Sequence, residues 1–385
     1  MTTDRLRDLL HDQVSDVTTH DLSAAAWRHG QRIRRRRGIA VVGGTAAAAL
    51  AVTVGVSVLD EPAGRPADLS TTTPAPTPGP TAEPDPRPTS SEPDARYAGA
   101  PVWVGPRPGE EADLPRLVGT GLPEEIDLSS GAPTAAGIGR AVGVLGVWPD
   151  GDLSRVVAVG ADGSSYAVPV EGVLERVADA GGNVGSALTS ESLSPGGRRA
   201  FFVQERSLEV YDFATGEWTS IATPPFLAEG AIWLTDSEIW VPESLGALSG
   251  TSYGVNGSEP VPSMVKSLGL AWPGAADGEP FGPLRSSSRA MAQSHFLSDG
   301  RDAVVAVVGK EPQVLVFDAR SERWKGCCPV VGWAASGTVL FESRQEDARV
   351  LAWRVGSGDV RQVSRIIGWV AGQESYVASW SLPTG

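Results

Sequence analysis

His295 is the only imidazole after residue 37, and it bounds the chemistry open to most of this chain. A zinc or iron centre draws several imidazole, thiolate or carboxylate ligands together at workable spacing. One histidine, one adjacent pair of cysteines and no H-E-x-x-H leave His-rich metal catalysis excluded and no metal ligand to assign. A serine hydrolase would need His295 as general base beside a serine on a sharp nucleophile elbow. No such elbow is expected, so His295 reads as an ordinary surface or strand-end histidine. No catalytic residue and no cofactor ligand is assigned, and the chain is not expected to be an enzyme.

Cys327 and Cys328 are adjacent, are the only cysteines, and precede Pro329. In an oxidising compartment they would close a vicinal disulfide that rigidifies a turn. A buried pair of free thiols and a redox switch stay open beside that reading, the switch because strained disulfides are the more oxidising ones. Eleven of the twelve tryptophans follow Arg96. Those at repeat positions are expected to fill space between sheets, whereas one in a loop, Trp272 foremost, would serve as a binding anchor.

The elements that must position these residues begin with an anchor. Arg32, Arg34, Arg35, Arg36 and Arg37 run into the 22 uncharged residues 38–59, GIAVVGGTAAAALAVTVGVSVL. As a helix that stretch spans about 33 Å, enough for a bilayer core. The arginines on its N-terminal side keep residues 1–37 in the cytoplasm and export the rest by the positive-inside rule. A cleaved secretory signal and a twin-arginine export signal are the rival readings. The 37 residues ahead of the apolar run, its length, and the lack of an A-x-A-like site after Leu59 favour an uncleaved anchor. No cysteine follows the segment to accept a lipid.

Residues 1–37 carry a net charge of +3, so the remainder carries −17 of the overall −14. An acidic exported part is a poor partner for nucleic acid or anionic lipid, and none is expected. Three lysines against 29 arginines point to a GC-rich bacterial genome, as in actinobacteria. In the tail, Leu6, Leu9, Leu10, Val14 and Val17 recur at helical spacing. A second short helix is expected after Asp21 as N-cap, running through Trp27 towards the arginines. This tail resembles the short cytoplasmic segments of actinobacterial single-pass proteins, some of them similar to anti-sigma factors. That resemblance implies a cytoplasmic regulator such as a sigma factor as partner, against the plainer reading of a juxtamembrane segment held by headgroups. Residues 60–96 hold ten prolines among Thr, Ser, Ala and Asp, with Leu69 the one large aliphatic. They read as a disordered, extended stalk reaching up to about 115 Å at roughly 3.1 Å per residue.

From Tyr97 to Gly385 the texture is short apolar runs between Gly, Pro, Asp and Ser, which predicts an all-β domain. It also repeats. Ser194-Pro-Gly-Gly-Arg leads to Val210-Tyr-Asp212 and Trp218, and Ser298-Asp-Gly-Arg leads to Val316-Phe-Asp318 and Trp324. Asp212 and Asp318 are 106 residues apart, as are Trp218 and Trp324. Weaker copies start at Pro149, Thr235, Ala335 and Ala371, mostly near 40 residues apart. That spacing is one four-stranded propeller blade. The turns followed by Val-Tyr-Asp or Val-Phe-Asp resemble blades of TolB-like and WD40-like bacterial β-propellers, without the Gly-His and Trp-Asp signatures of strict WD40 repeats. Six blades are expected, with seven the alternative because the 63 residues from Asp236 to Asp299 leave room for one more. Pro101–Val104 and Pro115–Val118 are expected to complete the last blade. The domains are then 1–37 tail, 38–59 membrane helix, 60–96 stalk and 97–385 propeller. Together they predict a single-pass cell-membrane protein displaying an extracytoplasmic propeller, a non-enzymatic module that binds or senses an unspecified protein or ligand. Two alternatives are a transmembrane signalling protein and an exported propeller hydrolase.

Overall fold

The computed structural model describes residues 90–382 apart from 130, 150–152, 154, 178–184, 276–277, 319–322, 324–326, 335–336 and 372. The tail, the arginine cluster, the anchor and Trp324 lie outside the described residues, as does the stalk up to residue 89. No helix among the described residues is long and apolar enough to cross a membrane.

Short apolar runs broken by turn residues fold as the pattern demands, into strands. Three come first, β1 (Ala95–Tyr97), β2 (Ala100–Val104) and β3 (Glu125–Asp127). The first blade then takes β4 (Ala141–Pro149), β5 (Arg155–Gly160) and β6 (Ser165–Val168). The second has residues 187–193 beside β7 (Arg199–Val203), β8 (Ser207–Asp212) and β9 (Trp218–Ala222). The third is β10 (Ile232–Thr235), β11 (Glu238–Pro242), β12 (Ser249–Gly254) and β13 (Val261–Met264). The fourth is β14 (Gly278–Ser286), β15 (Ala290–Leu297), β16 (Asp302–Val308) and β17 (Glu311–Val316). The fifth is β18 (Val330–Ala334), β19 (Thr338–Ser343), β20 (Arg349–Arg354) and β21 (Val360–Ile367). Finally β22 (Glu374–Trp380) returns to pair antiparallel with β4, giving a first sheet ordered β22-β4-β5-β6.

These sheets make a β-propeller of five blades, not six. The 63-residue interval hides no seventh: it holds β11, β12 and β13 of the third blade and the long β14–β15 hairpin of the fourth. The ring also closes differently from the expectation. Pro101 to Val104 lie in β2, which runs parallel to β17 on the outside of the fourth blade. Around Pro115 to Val118, the Leu117 N–H donates to the Gln362 carbonyl and the Gln362 N–H to the Pro115 carbonyl, along the fifth blade. There β3 also runs parallel to β21. Closure falls to β22 alone.

Packing between blades supplies the core. Tyr211, Phe201, Phe202 and Trp240 are fully buried in the second and third blades, and Phe317, Phe341 and Trp353 where the fourth meets the fifth. Each such side chain contributes roughly 1.5–3 kcal/mol or more, against about 0–1 for an exposed ion pair, so the seams dominate stability. Two glycines allow close approaches. Gly197, at φ 71°, sits where a Cβ would strike the Ala141 carbonyl oxygen of the neighbouring first blade, and within that first blade Gly143 of β4 lies beneath the Trp380 ring of β22.

Candidate functional site

The centre of the ring is the place where side chains from several blades converge. Residues 187–193 have the least regular inner strand, and their backbone is satisfied from several directions. The Ser190 carbonyl accepts from the Ser379 hydroxyl of β22 at 3.0 Å and from Arg285 Nη2 of β14 at 3.0 Å. Arg285 also lies 3.4 Å from Glu191. Since the second and fourth blades are not neighbours, Arg285 reaches Ser190 and Glu191 across the channel. Burial pushes the Glu191 carboxyl up, with Arg285 opposing. The Arg285 side chain is 20% exposed and Glu191 30%, so the pair lines the channel rather than sealing it. This cluster offers a partly exposed cation and carboxylate to a polar ligand group. Sequence reasoning did not find it, because nothing in Pro-Leu-Arg-Ser or Ser-Glu-Ser marks residues that meet only after the ring closes.

A second cluster joins the N-terminal run to the fifth blade. The 3-10 turn Pro108–Asp113 carries Glu111, fully buried, which pairs with Arg323 and accepts from Ser343 at 2.7 Å and Gln345 at 2.6 Å. Arg323 also lies over the Phe317 ring at 4.9 Å. Burial raises the Glu111 carboxyl, and Arg323 works against that rise. Both carboxylate oxygens are engaged by protein donors and the group is fully buried, which is the chemistry of a clamp and not of a binding site.

The residues singled out from sequence fall elsewhere. His295 is not a surface residue: it is fully buried in β15, with Trp272 edge-on at 5.6 Å. Burial drives its pKa down to about 4, and neither ring nitrogen has a hydrogen-bond partner among the described residues. Trp272 is no anchor either, being 8% exposed and packed between His295 and the Tyr97 ring at 6.0 Å. The G-x-S-x-G pattern that marks nucleophile elbows occurs once, at Gly250 to Gly254, but it forms none. It runs along β12 rather than turning into a helix, and Ser252 is 4% exposed and 2.7 Å from the Ser263 hydroxyl. Asp212 pairs with Arg199 at 2.8 Å and accepts from the Ala214 and Thr215 N–H groups, holding the turn after β8. Trp218 packs on Tyr211 at 5.0 Å. Asp318 is exposed after β17. Cys327 and Cys328 are joined by a disulfide, both fully buried, with Cys328 at φ 77° and its carbonyl accepting from Ser294 at 2.6 Å. No group of three or more metal-binding side chains occurs among the described residues.

No family model matches the chain, and no curated protein does. Solved structures do. A putative TolB from Agrobacterium tumefaciens is 11% identical with a TM-score of 0.34, covering 63% of this chain and 99% of that one. The β-propeller domain of the Trilobed protease from Pyrococcus furiosus is 12% identical with a TM-score of 0.32, over 58% and 82%. TolB from Acinetobacter baumannii is 11% identical with a TM-score of 0.27, over 66% and 68%. Scores this low decide nothing further, and the propeller fold stands on the five sheets themselves.

Proposed function

We propose that this chain is a membrane-tethered, extracytoplasmic propeller that acts as a binding or sensing module and not as an enzyme. The observation that carries the reading is the burial of His295. As the one imidazole beyond the candidate anchor, it is the natural general base, and it has no exposed surface and a pKa near 4. A general base must reach the proton it takes. The candidate elbow serine is locked in a strand, so neither half of a hydrolase pair is presented. The arginine cluster, the uncharged run and the proline-rich stalk support the tether. The test assays the purified full chain in detergent against ester, peptide and glycoside substrates beside a His295→Ala variant. No turnover is expected from either; reproducible turnover by the unaltered chain that His295→Ala abolishes would overturn the reading.

A further inference from the structure

Among the described residues, the outer edges of the blades are covered or obstructed in four cases and bare in one. A bare edge strand presents unpaired N–H and C=O groups, and proteins normally cover, shorten or obstruct it. Three blades borrow the N-terminal run: β2 lies parallel to β17, β3 parallel to β21, and residues 133–135 exchange bonds with Ala167 of β6, again parallel. In the third blade Pro260 precedes β13 and Pro262 sits within it, which obstructs a further strand. The second blade ends in β9, Trp-Thr-Ser-Ile-Ala, with no proline, glycine or charge. No described segment pairs along its outer side.

The ladder fixes which groups that edge offers. Thr223 N–H bonds the Arg206 carbonyl and Asp212 N–H the Glu217 carbonyl, so the hydrogen-bonded pairs between β8 and β9 fall at 208/221 and 210/219. The N–H and C=O groups of Trp218, Ser220 and Ala222 therefore face outward. The charge beside them is negative. Glu209 stands opposite Ser220 and, among the described residues, accepts from the Ser207 and Ser220 hydroxyls, at 2.6 and 2.8 Å. Glu217 is exposed at the entry to β9, while the nearby Arg199 and Arg206 are already paired with Asp212 and Glu205. Strands lie about 4.8 Å apart, so a long cation on an added strand reaches across the short Ser220 to Glu209.

We infer that β9 is a docking edge for an extended segment of a protein partner, added parallel as the molecule adds its own strands, with a Lys or Arg opposite Ser220. This rests on the binding-module reading and gives it a place and a partner chemistry: backbone pairing for affinity, an acidic pocket for selectivity. The experiment selects a displayed library of random linear peptides on the full chain in detergent micelles. Enriched sequences are then synthesised and measured on three variants. Ser220→Pro removes an outward donor without touching the ladder to β8, Ser220→Lys puts a cation where the partner's would sit, and Glu209→Gln removes the charge. Expected are basic, β-branched peptides whose affinity falls at least tenfold on the first two variants and about threefold on the third. Slowed amide exchange at Ser220 and Ala222, with Thr219 and Ile221 unchanged, should accompany binding. Ser220→Lys changes only an exposed side chain, so it keeps the test valid if the proline variant does not fold. No enrichment, or peptides that bind all three variants as tightly as the unaltered chain, overturns the edge. In the second case the chain remains a binding module with its site elsewhere, whereas enzymatic turnover by the same preparation would sink that broader reading instead.

Discussion

His295 shows how far a single residue can be read and where the reading stops. Its solitude was legible in the sequence, and that alone disposed of His-rich metal chemistry. Its burial was not, since Gln-Ser-His-Phe-Leu has the alternation of any half-exposed strand, and the cover over the imidazole, Trp272 edge-on among it, comes from residues distant in sequence. Burial gives it a pH signature. The folded pKa, about 4, lies below the ordinary 6.5, so both states are neutral above pH 6.5 and the full stability is present there. Between pH 6.5 and 4 only the unfolded chain takes the proton, and about 3 kcal/mol is lost over that window. Denaturant midpoints at pH 7 and pH 4.5 should therefore differ less for His295→Phe than for the unaltered chain; equal drops would show that His295 is not the titrating group. Glu111 and Arg323 make the opposite case, a charged pair that burial leaves with no water to fall back on. Glu111→Ala strands a buried guanidinium and should cost about 3–5 kcal/mol, whereas Glu111→Leu with Arg323→Met should recover most of it. Chemical denaturation of Glu111→Ala, and of Glu111→Leu and Arg323→Met singly and together, checks this, and additive losses in the Leu/Met set would mean that the pair does not act as a unit.

At the scale of elements the repeat was legible and its phase was not. In the second blade the sequence turn-strand-hairpin-strand-Asp maps onto β7 and β8, the second and third strands, and Trp218 opens the outer one. In the fourth blade the matching residues lie on β16 and β17, the third and fourth strands, and the outer neighbour of β17 is β2. Antiparallel hairpins with alternating burial look alike whichever pair of a blade they form, so a slip of one strand leaves no local trace. That slip, with the assignment of the N-terminal strands to closure, turned five blades into six. Closure itself is long-range. It joins Glu374 to Trp380 with Gly143 to Pro149, more than two hundred residues away. A chain ending before Glu374 bares the inner edge of β4, removes Trp380 from Gly143 and takes the Ser379 hydroxyl from Ser190. It should lose cooperative unfolding altogether, seen as a broad thermal transition by circular dichroism and rapid proteolysis; a sharp transition near that of the full chain would show that the other four blades hold the ring.

Seen whole, the described part of the molecule is a ring whose seams carry the stability and whose N-terminal run straps three outer edges before entering the first blade. The strap is built from the last residues of the proline-rich region onward: Gly358 N–H donates to the Ser90 carbonyl at 2.8 Å, and β1 begins at Ala95. Composition could not place that boundary, because Ser-Ser-Glu-Pro-Asp is as polar as the stalk before it and is held by backbone bonds that any sequence can make. A protease should then respect it. Cleavage sites in residues 60–89 have no core to protect them by composition, whereas those after Ser90 lie in a paired strap. External protease on intact cells should release a resistant fragment that starts close to Ser90 and runs to the C-terminus, with the epitope of an N-terminal tag retained in the cell. That outcome follows if the five arginines hold residues 1–37 inside and the 22-residue run stays uncleaved. Recovery of the propeller free in the medium without protease, lacking its first 60 or so residues, would make that run an export signal and remove any cytoplasmic partner of the tail from consideration. The same fragment, once purified, should unfold in one transition, because shared cores join the first blade to the second and the fifth, the second to the third, and the fourth to the fifth.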